Sequence, residues 1–240
     1  MKSGFADMDS RRSDQSGGLP APPLEKPRRQ SERIFRLPKP DTKPLRKSDM
    51  LACLRDRRSR RSFSDQPMTP AELAMLLWAT QGVDRVSSDK CATFRPVPSA
   101  GARHAFETYV IANGVTGLGK GIYRYLPLTH ELVLASETPD NMSRQLSAAT
   151  FGQEFAARAA ATFVWSCLPY RGEWRYQHES HKTMLLDAGH ICQNMYLAAE
   201  AMELGTCAIA AYDQEAMDSI LGLDGDDEFT VYLAPVGKPA

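Results

Sequence analysis

Apolar positions recur at helical spacing after Thr69-Pro70-Ala71-Glu72, where Leu73, Leu76, Leu77 and Thr80 share one face. Thr69 suits an N-cap, Pro70 the first helical position and Glu72 the third, so a capping box opens this helix and Gly82 ends it. Ser48 or Asp49 can cap a shorter helix over 49–57. Alternating or β-rich apolar runs predict strands at Thr108–Ala112, Gly121–Tyr125, Glu131–Ala135, Thr162–Leu168, Thr206–Ala210 and Phe229–Val236. Residues 141–158 alternate at helical spacing. Leu185–Leu204 is apolar on most sides, as a central core helix should be. Asp213 caps a last helix that ends at Leu221, and 83–95 reads as a polar loop. Helices and strands mix without a βαβ rhythm, which predicts an α+β fold.

Residues 1–48 lack this patterning. They hold seven of the sixteen prolines together with Ser, Gly and charge, so they read as an arm whose first thirty or so residues are disordered. The folded domain is then 49–240. Hydrophobic residues make up 42% of the 240, enough for a real core. Net charge is zero, yet residues 1–62 carry 17 Lys/Arg against 8 Asp/Glu, and the remainder 12 against 21. The basic residues are scattered and no aromatics interleave with them, which argues against nucleic acid as a partner. An arm docked on its own acidic body, or on a partner subunit, accounts for the asymmetry.

The five cysteines, Cys53, Cys91, Cys167, Cys192 and Cys207, form no C-x-x-C pair. Reduced thiols in a cytoplasmic protein are expected. The N-terminus has no apolar signal region. Met184–Leu204 carries Asp187, His190, Gln193, Asn194, Glu200 and Glu203, which no membrane span tolerates at mid-depth. His178-Glu179-Ser180-His181 has no third ligand at suitable spacing, so no metal site is expected.

Two basic motifs are the candidates for chemistry. In Arg57-Arg58-Ser59-Arg60-Arg61-Ser62-Phe63, Arg57, Ser59 and Arg61 alternate and share a face on an extended chain, as an anion site needs. Gly237-Lys238 follows an apolar strand, where glycine lets backbone approach a ligand closely. The small residues of Leu204–Asp213 leave room for a flat ligand. No P-loop, nucleophile elbow or G-x-G-x-x-G is present, so a nicotinamide would visit as a diffusing substrate.

Taken in order, these pieces resemble the nitroreductase superfamily of FMN-dependent oxidoreductases over residues 34–239. The stretch 57–63 is similar to the family's R-[RH]-S-x-[RK]-x-F opening. The resemblance implies that Arg57, Arg58, Ser59 and Arg61 belong to the FMN site. In it, Arg57 and Ser59 hold the phosphate, and Arg61 lies near the flavin N1/O2 edge or ribityl chain. Pro98-Ser99-Ala100-Gly101 matches a segment that a neighbouring subunit contributes, Ile209-Ala210-Ala211 the strand end at flavin N5, and Gly237-Lys238 a terminal phosphate contact. The stretch Asp187–Asn194 resembles the central dimer helix. The family fold implies an α+β homodimer, its central sheet mixed and mainly antiparallel, with two FMN sites at the interface. The activity implied is ping-pong hydride transfer via flavin N5 between NAD(P)H and a small acceptor such as a nitroaromatic, quinone or enone.

Gly121–Tyr125, Leu186–His190 and Gly205–Ile209 are similar to the thiazoline/oxazoline oxidase-like branch. Some of its members aromatise azolines in modified peptides, using a Lys-Tyr pair to remove a proton. The equivalent here is Arg175-Tyr176, which makes Tyr176 the candidate catalytic residue, and an arginine stays protonated. Azoline dehydrogenation and flavin storage are the alternative readings.

Overall fold

In the computed structural model, which describes residues 12–240, nine strands and seven helices are laid out along the chain. The strands are β1 (Ile34–Arg36), β2 (Arg85–Val86), β3 (Thr93–Phe94), β4 (Phe106–Ala112), β5 (Gly121–Leu126), β6 (Glu131–Ser136), β7 (Ala161–Cys167), β8 (Gly205–Thr206) and β9 (Phe229–Gly237). The helices are α1 (Met50–Asp56), α2 (Pro70–Gln81), α3 (Met142–Ala149), α4 (Phe155–Arg158), α5 (Tyr170–Tyr176), α6 (Ser180–Ala201) and α7 (Gln214–Leu221). Seven strands form one sheet in the order β1-β6-β5-β4-β7-β9-β8, and β2 pairs with β3 alone. Every pairing between these strands is antiparallel. The fold is α+β, as the sequence patterning predicts.

Alternation along β4 and β7 divides the core in two. Phe106, Val110, Phe163 and Trp165 face α2 and α6 on one side of the sheet. Tyr109, Ile111 and Val164 face α3, α4 and α7 on the other. The capping box of α2 is formed in full: Thr69 Oγ1 accepts from the Glu72 N–H at 3.2 Å, and Glu72 Oε2 accepts from the Thr69 N–H at 2.7 Å. Leu73, Leu76, Leu77 and Thr80 are all buried. Gly82 closes the helix, where an added Cβ would lie 2.4 Å from Trp78 Cδ1. Asp49 caps α1 and Asp213 caps α7.

Several elements depart from the sequence expectation, among them the strand expected over Thr206–Ala210, which is reduced to the two residues of β8, with Ile209 bridging Leu233 beyond it. The single helix expected over 141–158 is two, α3 and α4, because Phe151 and Gly152 turn the chain through positive φ angles of 53° and 80°. Helix α5 and strand β1 are additional, and α6 starts at Ser180 and ends at Ala201. The loop 83–95 contains the small hairpin β2–β3.

Residues 1–11, part of the stretch expected to be disordered, lie outside the described residues. From residue 12 the arm runs against the body, and β1 adds it to the sheet edge beside β6.

Candidate active site

Past the end of α1, the Arg-rich segment runs extended along the sheet's β8 edge. Ser59 bridges Thr206, the Arg60 N–H donates to the Thr206 carbonyl at 2.9 Å, and Phe63 bridges Pro239. The Ser64 N–H donates to the Lys238 carbonyl at 2.9 Å. Residues 57–64 are thus zipped to both Gly205–Thr206 and the C-terminal residues. Two glycines permit the close packing: a Cβ on Gly205 would meet Arg60 Cβ at 3.0 Å, and one on Gly237 would meet Phe63 and the Ala160 nitrogen at 3.3 Å.

Tyr196 of α6 is the hub of this edge. Its hydroxyl lies 3.0 Å from Ser59 Oγ and accepts from the Ala208 N–H at 2.9 Å. The Arg57 guanidinium sits 5.1 Å from the Tyr196 ring centroid, a cation–π arrangement that orients the cation. Arg61 lies 6.0 Å from the Phe155 ring. Gln153, two residues earlier, donates to the Ala211 carbonyl at 3.0 Å, which ties the Ile209–Ala211 turn to the same corner. Ile209 is paired with Leu233 through both backbone bonds, while Ala210 and Ala211 are exposed. Their amides donate to no partner among the described residues.

Arg57, Ser59, Arg61, the Ile209–Ala211 turn and Gly237-Lys238 therefore converge on one open edge. Arg58 turns back, its Nη1 donating to the Arg55 and Arg57 carbonyls. Arg60 pairs with Glu200 at 3.7 Å, and Lys47 pairs with the same buried carboxylate. Lys238 pairs with Glu72. Burial alone would raise the Glu72 carboxyl, but Lys238 and the two Thr69 donors outweigh it and hold it below the usual carboxylate range.

Pro98–Gly101 lies elsewhere, beside the N-terminal half of α6. Asp187 accepts from the Ala100 N–H at 3.3 Å, and the Ser99 hydroxyl accepts from the His104 N–H at 2.9 Å. Burial raises the Asp187 carboxyl despite donors from Ser99 and Ala100. Gly101 has φ +60°, and a Cβ there would lie 2.5 Å from the Tyr176 hydroxyl, so the phenol rests directly on this segment. Arg175 stands 5.2 Å from the Tyr176 ring. Asp187 and Glu200 are 13 residues apart on α6, about 20 Å along its axis. The Arg-rich edge and the Pro98–Gly101 segment thus meet α6 at separate places.

Tyr196 and Glu200 are functional candidates that motif reading passes over, while Glu72 and Asp187 carry contacts beyond the helix roles their motifs suggest. Each lies within a helix pattern, and its partner comes from a distant segment. A cavity of about 310 Å³, lined by Lys120, Glu137, Asp140 and Leu146, touches neither the Arg-rich edge nor the Pro98–Gly101 segment. Burial pushes the Cys167 and Cys192 thiols up to about 12 and disfavours their thiolates. His178 pairs with Glu179 at 3.0 Å and His181 with Glu173 at 2.5 Å. Among the described residues no group of three or more His, Cys, Asp or Glu could hold a metal ion. No helix among them is long and apolar enough to cross a membrane.

Comparison with known proteins gives the family. The chain is 31% identical over 199 residues to the Methanocaldococcus jannaschii protein named "Putative nitroreductase MJ1384", covering 83% of this chain and 94% of that one. It is 28% identical over 133 residues to the trifolitoxin-processing protein TfxB of Rhizobium leguminosarum bv. trifolii, spanning 54% of this chain and 36% of that protein. A crystal structure from Ralstonia eutropha JMP134, titled as a "putative nitroreductase", superposes with a TM-score of 0.71 at 25% identity, covering 92% of this chain and 99% of that one. The Nitroreductase family profile matches residues 54–238, from the end of α1 to Lys238, and the chain belongs to that family of flavin oxidoreductases.

Proposed function

We propose that the protein is an FMN-dependent oxidoreductase that passes hydride between NAD(P)H and a small organic acceptor, such as a nitroaromatic, quinone or enone. The observation that carries this reading is the convergence of Arg57, Ser59, Arg61 and Lys238 with the unpartnered Ala210 and Ala211 amides on one open edge. Fixed cations beside a hydroxyl suit a phosphate monoester, and free amides beside small residues suit a flat polar ring edge. The residues present therefore fit FMN. Bound there, FMN would supply the hydride relay between donor and acceptor.

The chain's own residues hold and orient. Arg57, set by the Tyr196 ring, and Ser59 would hold the phosphate, joined by Lys238 if it left Glu72. Arg58 would reach the ligand only by leaving the Arg55 and Arg57 carbonyls. Arg61 would supply a permanent positive charge to a bound flavin. Tyr176 offers a hydroxyl on the substrate side from the Ser99–Gly101 half-site.

The separation of the half-sites along α6 calls for a second copy to complete each site. Exposed apolar side chains are available: Leu185 and Leu186 on α6 are 66% and 56% exposed, and Met50, Leu51 and Leu54 of α1 are exposed as well. Gly189, one turn further along α6 from Leu185, has open space where a Cβ would sit, which admits a partner helix closely. We therefore read the protein as a homodimer with FMN at the interface. Its five unpaired cysteines fit the reducing cytoplasm.

A second reading, dehydrogenation of an azoline-like ring in a peptide, is favoured by the similarity to a toxin-processing protein. Arg175 cannot act as a base, so Tyr176 would have to take the proton alone.

The test is FMN retention. Arg57→Ala removes charge-assisted bonds worth about 1.5–3 kcal/mol, so FMN affinity should fall about ten- to hundred-fold in a fluorescence titration. A variant that binds FMN as tightly as the wild type refutes the clamp.

A further inference from the structure

The N-terminal arm carries a dense set of contacts that the phosphate edge does not use. Three buried charged side chains of the body, Glu107, Arg124 and Glu228, and the half-buried Arg95 all spend bonds on residues 24–27. The Lys26 N–H donates to Glu107 Oε1 at 2.7 Å, and Arg124 donates to the Lys26 carbonyl at 2.7 Å and the Pro27 carbonyl at 3.2 Å. Arg95 donates to the Leu24 carbonyl at 3.4 Å. Lys26 Nζ pairs with Glu228, which also accepts from Ser166 Oγ at 2.6 Å and Tyr109 Oη at 3.1 Å. Glu107 and Arg124 are 2% and 5% exposed at the side chain, so each would lose a partner in a poorly solvated place if the arm lifted.

The arm's earlier residues fasten to α5. The Gln15 N–H donates to the Trp174 carbonyl at 2.9 Å, the Trp174 indole N–H donates to the Leu19 carbonyl at 3.0 Å, and the Tyr170 hydroxyl donates to Asp14 at 2.9 Å. Helix α5 has only seven residues, too short to hold itself, so its placement comes from tertiary contacts. On its inner side Arg171 pairs with Glu107 at 2.5 Å, and Arg103 donates to the Arg171 carbonyl and lies 4.8 Å from the Trp174 ring. Glu107 is thus shared: one oxygen accepts from both Arg171 of α5 and Lys26 of the arm. The last residue of α5 is Tyr176, seated on Gly101.

We propose that residues 14–27 form a strap that positions α5, and through it Tyr176 and the Pro98–Gly101 segment, with Lys26 as its principal pin. The inference rests on the functional reading above only for what Tyr176 and that segment do. The strap itself is a statement about the chain. Lys26 is a positioning residue: it touches neither Tyr176 nor the phosphate edge, its ammonium holds the strap down on Glu228, and its backbone N–H reaches Glu107, the carboxylate that Arg171 of α5 shares.

The experiment is hydrogen exchange by mass spectrometry on the full-length protein, paired with steady-state kinetics. Lys26→Met keeps the aliphatic stem and removes the charge. Amides of residues 13–28 and of Tyr170–Tyr176 should both exchange about ten-fold faster, while those of β4 and β7 stay protected. The KM for the acceptor should rise several-fold while FMN content holds, and Lys26→Arg should restore both readouts. Tyr170→Phe, an exposed change that leaves the buried cluster intact, should loosen residues 13–19 and α5 to a smaller extent. Faster exchange confined to the arm, an arm that stays protected in Lys26→Met, or a loosened α5 with unchanged KM would each overturn the strap. Failure of the functional reading shows separately, as wild-type protein that binds no FMN while its exchange pattern remains measurable.

Discussion

Tyr196→Phe isolates the hub of the proposed phosphate edge. The substitution removes one hydroxyl and two hydrogen bonds, to Ser59 Oγ at 3.0 Å and from the Ala208 N–H at 2.9 Å. The ring stays, so Arg57 keeps its cation–π seat. Ser59 is exposed and its hydroxyl rehydrates, a loss of about 0.5 kcal/mol. The Ala208 amide is half-buried and is left without a partner, at about 1–2 kcal/mol. The sum is about 2 kcal/mol, which in a domain of this size lowers Tm by about 4–8 °C. Differential scanning calorimetry of the apo-protein measures it. FMN affinity should fall as well, because Ser59 and the Ala208–Ala211 turn lose their common tether. A Tm drop below about 1 °C together with unchanged FMN affinity would refute the hub.

Other expectations test the remaining contacts. Glu72 is held below its ordinary value, so the stability it contributes is present above the unfolded carboxylate pKa of about 4.3 and is lost as pH falls through the lower folded value. Lys238→Met should shrink that acid limb in pH-dependent urea melts, and an unchanged limb would separate Lys238 from Glu72. Gly101→Ala adds a Cβ 2.5 Å from the Tyr176 hydroxyl at a φ of +60°, so it should cost about 1–2 kcal/mol and alter acceptor KM more than FMN content. Equal losses of both would argue against Tyr176 lying on the substrate side. Leu186→Lys places a charge on the exposed apolar face of α6, and sedimentation should show a monomer with weakened FMN binding. A flavin-loaded dimer would contradict the proposed interface.

Legibility followed locality. Thr69, Pro70 and Glu72 write a helix start within four residues, and the capping box formed as read. Asp213 before α7 is equally local. The Arg57–Arg61 motif and the Gly237-Lys238 end could be recognised as chemistry, but their zipper along β8 joins residues about 150 to 180 positions apart and leaves no periodic trace. Tyr196 and Asp187 sit inside a helix whose pattern announces only burial, and their partners Ser59 and Ala100 come from other parts of the chain. The two-helix break at Phe151-Gly152 had a signal in the glycine, which the helical spacing on either side masked. Within the arm, Lys26 reads as one more solvated cation. Only the fold shows Glu107, Arg124 and Glu228 gathered beneath it.

The most direct measurement is the anaerobic visible spectrum of the purified protein after FMN reconstitution and gel filtration, recorded before and after NAD(P)H. A flavin band that travels with the protein and bleaches on addition is the expected result. Protein that emerges without flavin would contradict the site at the β8 edge, and a retained band that never bleaches would contradict the proposed reductase chemistry.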